Sequence, residues 1–410
     1  MAMNNRGMKG FISIKIIAVL LMIVSVPQVS CSNSVGSEAS NDDNDQSTEE
    51  IIYHERALAV YDKIVRYFYV DEHNLFRENF PALPGDLDVS YLWPYFGLAG
   101  GVNTLIELGY DSQPFLNIIN RFDIYFDDSD QPVAYGAYPP ELGESTHFYD
   151  DNAVVGLELV RAYEITGEST YLQKAEEIMP FLYTGETDRC GGGGIAWNEN
   201  YIANPNDPNA IIGMSSSGYT ALLALKLYQI TGNEEYFDFG IRIYDWLKTN
   251  LKNPAEDIYW NDVHMTTCEV NRDLYTYNTG VMMQVEIALH EITENESHLQ
   301  EAKHLANGAY TIFTRMVDGE RFFPARDPWF HVKLLQGYLD LLKYDESADV
   351  FIKIFIENAN HAWEHARNDI NLFYEDWTGN DPGRDEWLLN QASVLEVFGL
   401  IALYKNESVQ

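Results

Sequence analysis

Two adjacent carboxylates, Asp150 and Asp151, stand inside the run Phe148-Tyr149-Asp150-Asp151-Asn152, which opens an amphipathic helix. Two carboxyl groups held ~5–5.5 Å apart can break a glycosidic bond, one attacking and one protonating the departing oxygen. Neighbours on a helix point ~100° apart because a turn takes ~3.6 residues, so both groups can flank one small substrate atom. A plainer reading is just as physical. Asp and Asn are favoured helix N-caps, and acidic side chains suit a first turn. The dipeptide alone leaves both readings open.

Holding such a pair requires a rigid frame. From about residue 51 the chain shows helical periodicity with short polar breaks. One phrase recurs: an apolar helix end, a turn, then Tyr or Leu opening another helix. It reads Ala162-Tyr163-Glu164-Ile165-Thr166-Gly167, then Leu227-Tyr228-Gln229-Ile230-Thr231-Gly232, then Leu289-His290-Glu291-Ile292-Thr293-Glu294. Weaker copies end at Gly109, Tyr344 and Asn406, which makes six copies with a period near sixty residues. Each unit has room for two helices of ~12–20 residues. An open α-solenoid would also repeat helix pairs. Unequal loops rich in glycine and aromatics favour a closed double ring instead. The expected fold is therefore all-α, a single (α/α)6 barrel over 51–407 with a cleft at one end. Residues 191–197, Gly-Gly-Gly-Gly-Ile-Ala-Trp, suit a loop or short hairpin that brings backbone close to a ligand.

Composition narrows the partners. Against 26 basic residues stand 63 acidic ones, a formal charge of −37, which repels phosphate backbones and excludes nucleic acid. A neutral ligand is not penalised. With 27 Tyr, 20 Phe and 8 Trp, an aromatic cleft suited to sugar faces is within reach.

The N-terminus reads as an export signal over 1–31: Arg6, Lys9 and Lys15 precede an apolar stretch, Ile16 to Val26, too short to span a bilayer. Val26-Pro27-Gln28-Val29-Ser30-Cys31 resembles a lipoprotein processing site, so Cys31 is expected to carry a lipid anchor that holds the protein at the cell envelope. Residues 32–50, polar and acidic, are expected to form a disordered tether. Cys190 and Cys268 remain, either as a disulfide or as free thiols. His264 lies near Cys268, yet no ligand pair has zinc-type spacing. No metal or cofactor is expected, and the protein is expected to be a monomer.

Four segments then carry a resemblance: Phe148-Tyr149-Asp150-Asp151-Asn152-Ala153-Val154, Gly192-Gly193-Gly194-Ile195-Ala196-Trp197, Tyr275-Thr276-Tyr277-Asn278-Thr279-Gly280 and Leu388-Leu389-Asn390-Gln391-Ala392-Ser393. In order and spacing they resemble glycoside hydrolase family 76, the bacterial and fungal endo-α-1,6-mannanases, over roughly 52–404. That resemblance implies an (α/α)6 fold and retaining hydrolysis of α-1,6-mannan, with Asp150 as nucleophile and Asp151 as acid/base. Two departures stand out: Val154 where the family often has Trp, and Ile212-Gly213-Met214-Ser215-Ser216 after the matching Asn209-Ala210-Ile211.

The expected substrate contacts are Tyr149, Asn152, His147, Trp197, Asn209, Tyr277, Asn278, Trp93 and Trp377. For several of them a structural role competes: Asn278 as a cap, Trp93 and Trp377 as packing, His147 as an ordinary structural histidine. Gln391 is expected on the closing inner helix, where a buried amide needs partners. Rival functions are a non-catalytic glycan-binding lipoprotein, another (α/α)6 glycosidase such as an unsaturated-uronide hydrolase, and a helical scaffold for protein partners.

Overall fold

A computed structural model describes residues 42–380, 383 and 386–407. The export segment and Cys31 lie outside the described residues. Helix α1 (Asp42–Phe68) takes in the last part of the stretch read as a tether. The cause lies in composition: acidic residues that look like a solvated linker also suit a helix N-terminus.

Six helices form an inner ring: α2 (Leu92–Glu107), α4 (Tyr149–Thr166), α8 (Met214–Thr231), α10 (Thr276–Thr293), α12 (Pro328–Leu342) and α14 (Leu388–Glu407). Each packs on the next in this order, and α14 returns to α2, so the ring is closed. Around it lie α3 (Ser112–Asn120), α5 (Ser169–Glu177), α6 (Met179–Thr184), α9 (Glu234–Asn250), α11 (Glu296–Phe313) and α13 (Asp349–His365). A short α7 (Glu199–Ala203) sits in a connecting loop. Inner helices α8 and α10 bury residues on every face, whereas α9 and α11 bury only one stripe. That is the pattern of a wall enclosed on both sides and a half-solvated layer outside it.

The recurrent phrase has a chemical cause. Thr166, Thr231 and Thr293 each donate a hydroxyl to the carbonyl four residues back, at 2.7, 2.8 and 2.6 Å. The same hydroxyls accept the amides of Glu168, Asn233 and Asn295. Between them Gly167, Gly232 and Glu294 take the left-handed conformation at φ 73°, 69° and 55°. Asn233 and Asn295 then cap the outgoing helices on Glu235 and Ser297. Each cap stabilises its helix by about 1 kcal/mol. Every copy of the phrase, those at Gly109, Tyr344 and Asn406 included, ends an inner helix.

A second rule fixes the opposite end. In five of the six inner helices the fourth residue bonds back to backbone in the segment leading into the helix. Asn152 pairs with both Tyr135 N and O, and Gln391 does the same with Phe373. Ser217 and Thr279 accept from Ile195 N and Tyr259 N. His331 Nε2 lies 2.9 Å from the Pro324 carbonyl, so this nitrogen carries the proton and Nδ1 accepts from Thr276 Oγ1. Burial keeps this imidazole neutral, with its pKa lowered to about 4. The Gln391 amide thus finds the partners it needs.

Closure joins the first and last described segments of the chain. Phase is supplied by the pairing of Asn79–Phe80 with Glu386–Trp387 and by Leu388 N donating to Glu78 O at 2.8 Å. On the outside α1 lies against α13 and α14: Tyr53 stacks on Phe398, and Arg56 covers the Trp363 ring at 4.9 Å.

Candidate active site

The N-terminal ends of the inner helices surround a cleft of about 810 Å³. Its floor is built from the second residue of five of them: Trp93, Asp150, Ser215, Tyr277 and Trp329. Sequence spacing hides this set, because each member comes from a different helix. Phe148 is the N-cap of α4, with no side-chain capping bond, so neither aspartate serves as a cap.

Asp150 is held by three neutral donors. Trp197 Nε1–H and Ser215 Oγ–H both donate to Oδ2, at 3.0 and 2.8 Å, and the Asp151 amide donates to Oδ1 at 3.1 Å. For Asp151 no carboxyl hydrogen bond occurs among the described residues. Burial and the neighbouring Asp150 charge raise the Asp151 pKa well above the ordinary carboxylate range. Burial raises Asp150 too, but the Ser215 hydroxyl, the indole and the amide oppose it. Of the two, Asp151 is therefore the readier to hold a proton and Asp150 the readier to stay ionised.

Around the pair stands an aromatic wall. Trp93 lies parallel to Phe330 (6.0 Å, 11°) and edge-on to Trp387 (5.2 Å). Tyr277 donates to Asn261 Oδ1 at 3.1 Å and lies parallel to Tyr219. On the remaining rim are Glu78, Asp262 and Asp327, the last at φ 57°.

Of the residues singled out from sequence, Asp150, Asp151, Trp197, Trp93 and Tyr277 meet in this cleft. The others do not. Tyr149 is buried, stacked on Phe181 at 4.5 Å and bonded to Thr184. Asn152 is buried and spent on the Tyr135 backbone. Its side chain lies ~200° around α4 from Asp150 and cannot face the same way. His147 sits between Glu199 (2.8 Å) and Asp127 (3.2 Å), outside the cleft lining. Asn209 is exposed in a turn held by Asp207. Asn278 is fully buried and off the lining. Trp377 packs in a separate crevice beside His331 and Asn358.

Within the glycine run Gly194 is closely packed, whereas Gly191, Gly192 and Gly193 line a cavity of about 740 Å³ outside the cleft. The run's hairpin (Glu186–Thr187 with Gly194–Ile195) lies against α9, and a Cβ on Gly194 would fall 2.5 Å from Ile212 and 2.7 Å from Trp246. Cys190 in this loop is bonded to Cys268, with Cα atoms 5.4 Å apart. His264 beside it bonds to Pro208 O and to the amides of Thr266 and Thr267. Sequence reasoning missed Ser215, Tyr219, Asn261, Asp262, Trp329, Phe330 and Trp387. Ser215 lies in the segment noted as a departure, and its position two residues into an inner helix is the only local signal.

Comparisons with known proteins agree with this architecture. A sequence model described as Glycosyl hydrolase family 76 matches residues 53–410. Mannan endo-1,6-alpha-mannosidase DCW1 of Candida glabrata is 25% identical over 197 residues, 44% of this chain and 42% of that protein's own length. The fold matches a family 76 mannosidase, Bt3792 from Bacteroides thetaiotaomicron, with a TM-score of 0.78 at 22% identity, covering 87% of this chain and 99% of that one. It also matches an inactive variant of the Salegentibacter sp. alpha-1,6-mannanase GH76A, two aspartates changed to asparagine, in complex with alpha-1,6-mannotriose. There the TM-score is 0.70 at 21% identity, covering 86% and 99%.

Proposed function

Because the chain belongs to glycosyl hydrolase family 76, we propose that it cleaves α-1,6-mannosidic bonds inside mannan with retention of configuration. The observation that carries this reading is the asymmetry of the aspartate pair: three donors on Asp150, none on the Asp151 carboxyl. An ionised group beside a protonated one is what a nucleophile and a general acid require.

In the first step an Asp150 oxygen forms a bond to the anomeric carbon as the glycosidic bond breaks. Asp151 gives its proton to the departing oxygen. Leaving as a carboxylate, Asp151 then takes a proton from water, whose oxygen displaces Asp150 and restores both groups. Trp93, Trp329 and Phe330 offer flat apolar faces for flanking sugars. Supporting the substrate assignment, a solved relative made inactive at two consecutive aspartates holds α-1,6-mannotriose, and the yeast relative is a mannan endo-1,6-α-mannosidase.

Linear α-1,6-mannan digested by the purified protein, followed by NMR, tests the proposal. An α-configured first product and an early ladder of oligosaccharides are expected. A β first product overturns retention; free mannose alone overturns internal cleavage; binding without new reducing ends overturns the enzyme. We place the protein at the cell envelope through a lipid on Cys31. Cys31→Ala should release it from membranes, and unchanged membrane retention would refute the anchor.

A further inference from the structure

Cys190 and Cys268 are joined outside the cleft, yet their bond closes a ring of chain that contains Trp197. From Cys190 the ring runs through Gly191–Gly193 and the strand Gly194–Ile195 to Ala196 and Trp197. Trp197 N–H donates to Ile211 O at 3.1 Å, and Ile211 pairs with His264. The His264 carbonyl accepts from Cys268 N–H at 2.9 Å, and Cys268 returns to Cys190. Ser215 hangs from the same ring, two residues beyond the strand Ile211–Gly213. Trp197 and Ser215 are the two side chains that donate to Asp150 Oδ2. Asn261, which accepts the Tyr277 hydroxyl, sits one residue before the paired strand Asp262–His264.

One arc of this ring is soft. Gly191, Gly192 and Gly193 all take positive φ, at 97°, 75° and 105°, and glycine loses more conformational freedom on ordering than any other residue. Beside them lies the cavity of about 740 Å³, so the arc has room to shift. Both cysteines are themselves left-handed, at φ 51° and 56°. A residue other than glycine keeps that conformation only where its surroundings impose it. The Trp246 indole N–H donates to Cys190 O at 3.0 Å and ties the arc to α9. Neither cysteine lies in a helix of the barrel, so opening the bond leaves the helix ring closed.

We propose that the Cys190–Cys268 bond is a positioning brace, which holds the Trp197 indole and the Ser215 hydroxyl against Asp150. The inference rests on the reading of Asp150 as nucleophile and deepens it. With the bond open, the glycine arc regains its freedom and Trp197 is held less firmly. Asp150 then loses part of the donor set that opposes its burial. A buried carboxylate with fewer donors takes up a proton more readily, and a protonated one cannot attack.

Reduction of the folded protein by a water-soluble phosphine tests it. The sulfurs take two electrons and two protons, the phosphine leaves as its oxide, and alkylation with peptide mass confirms both thiols. The pH profile of kcat/KM on α-1,6-mannan is compared before and after. A second measurement needs no turnover: with isotope-labelled tryptophan, the Trp197 indole N–H signal, assigned through Trp197→Phe, follows the ionisation of Asp150. Reduction should move both midpoints upward by about half a pH unit, which is about threefold in kcat/KM on the acid side. Reoxidation with oxidised glutathione should restore both. The double variant Cys190→Ala, Cys268→Ala should match the reduced form and ignore the phosphine. A lower Tm with both midpoints unmoved would make the bond a staple for stability alone and overturn the brace. Loss of the helical signal on reduction would overturn it too, because the bond would then hold the barrel. So would an undiminished shift of the rate profile in Trp197→Phe, where the indole route is gone. Absence of mannan cleavage strikes the activity alone, since the indole signal still tests the brace.

Discussion

Helix α4 carries acids at two depths of its barrel-facing stripe, Asp150 and Asp151 in the first turn and Glu158 two turns further in. At the cleft, the pair meets only neutral donors. Deeper, Glu158 lies 3.6 Å from Lys333 Nζ, which is also 3.8 Å from Glu396, while Arg161 approaches Glu396 at 3.4 Å. Asn103 and Gln336 complete the cluster with bonds of 3.0 and 2.7 Å. The deep group draws on α2, α4, α12 and α14, and so ties four inner helices across the barrel axis. Matched charge holds helices together; unmatched charge is left with a movable proton. Desolvation is common to both regions, so the presence or absence of a cation decides which use the carboxylate has.

Substitutions can break that contrast. The largest effect is expected at the cleft: Asp150→Asn and Asp151→Asn should each lower kcat by about 10³-fold or more, read by reducing-end release. Neither should unfold the protein. Asp151's folded pKa lies above its unfolded value, so between the two the native state binds more protons, and stability falls as pH rises. Asp151→Asn should therefore hold or raise the Tm at neutral pH and flatten its decline. A large drop in Tm would place this residue with the structural charges.

Lys333→Met is the reverse case. Removing the cation leaves Glu158 and Glu396 buried together, a loss of about 3–5 kcal/mol in chemical denaturation. Adding Glu158→Gln should recover part of it, because one uncompensated charge is gone. No loss in the single variant would mean the deep cluster is not a clamp.

A smaller change is expected from Ser215→Ala. Its hydroxyl stabilises ionised Asp150, so its removal raises that pKa and moves the acid limb of kcat/KM to higher pH, with about tenfold lower activity. An unshifted limb with reduced activity would point to packing alone. The smallest effect belongs to Tyr219, which lines both the cleft and a cavity at the far end of the barrel and whose buried hydroxyl has no hydrogen-bond partner among the described residues. Tyr219→Phe should change stability by less than about 1 kcal/mol. A larger loss, measured by thermal melting, would reveal a partner bridging the two ends.

Much of the frame is legible in sequence, because the Thr-Gly and Thr-Glu turns that end inner helices follow from local bonding within five residues. Asp150 and Asp151 are legible for the same reason. Their sequence neighbours mislead. A helix turns each successive side chain by ~100°, so Tyr149 and Asn152 leave the face that the aspartates share and become packing and pinning residues. The aromatic wall is illegible for the opposite reason: Trp93, Trp329 and Trp387 are far apart in the chain and meet only when the ring closes. Trp197 appears as a possible sugar platform, and the structure adds a second task, its indole N–H holding Asp150. No spacing rule announces a bond between a loop and a distant helix.

The join between the first and last described segments has a consequence for assembly. Among the described helices α1 is made before the others, whereas the surface it covers on α13 and α14 is made after them, as is the strand that pairs with Asn79–Phe80. Until then Glu78 has no Trp387 to orient it and the cleft lacks one side. Such late, long-range contacts slow folding. They also mean that a half-made chain has only part of its cleft: the lining is complete once α14 and the strand before it are in place.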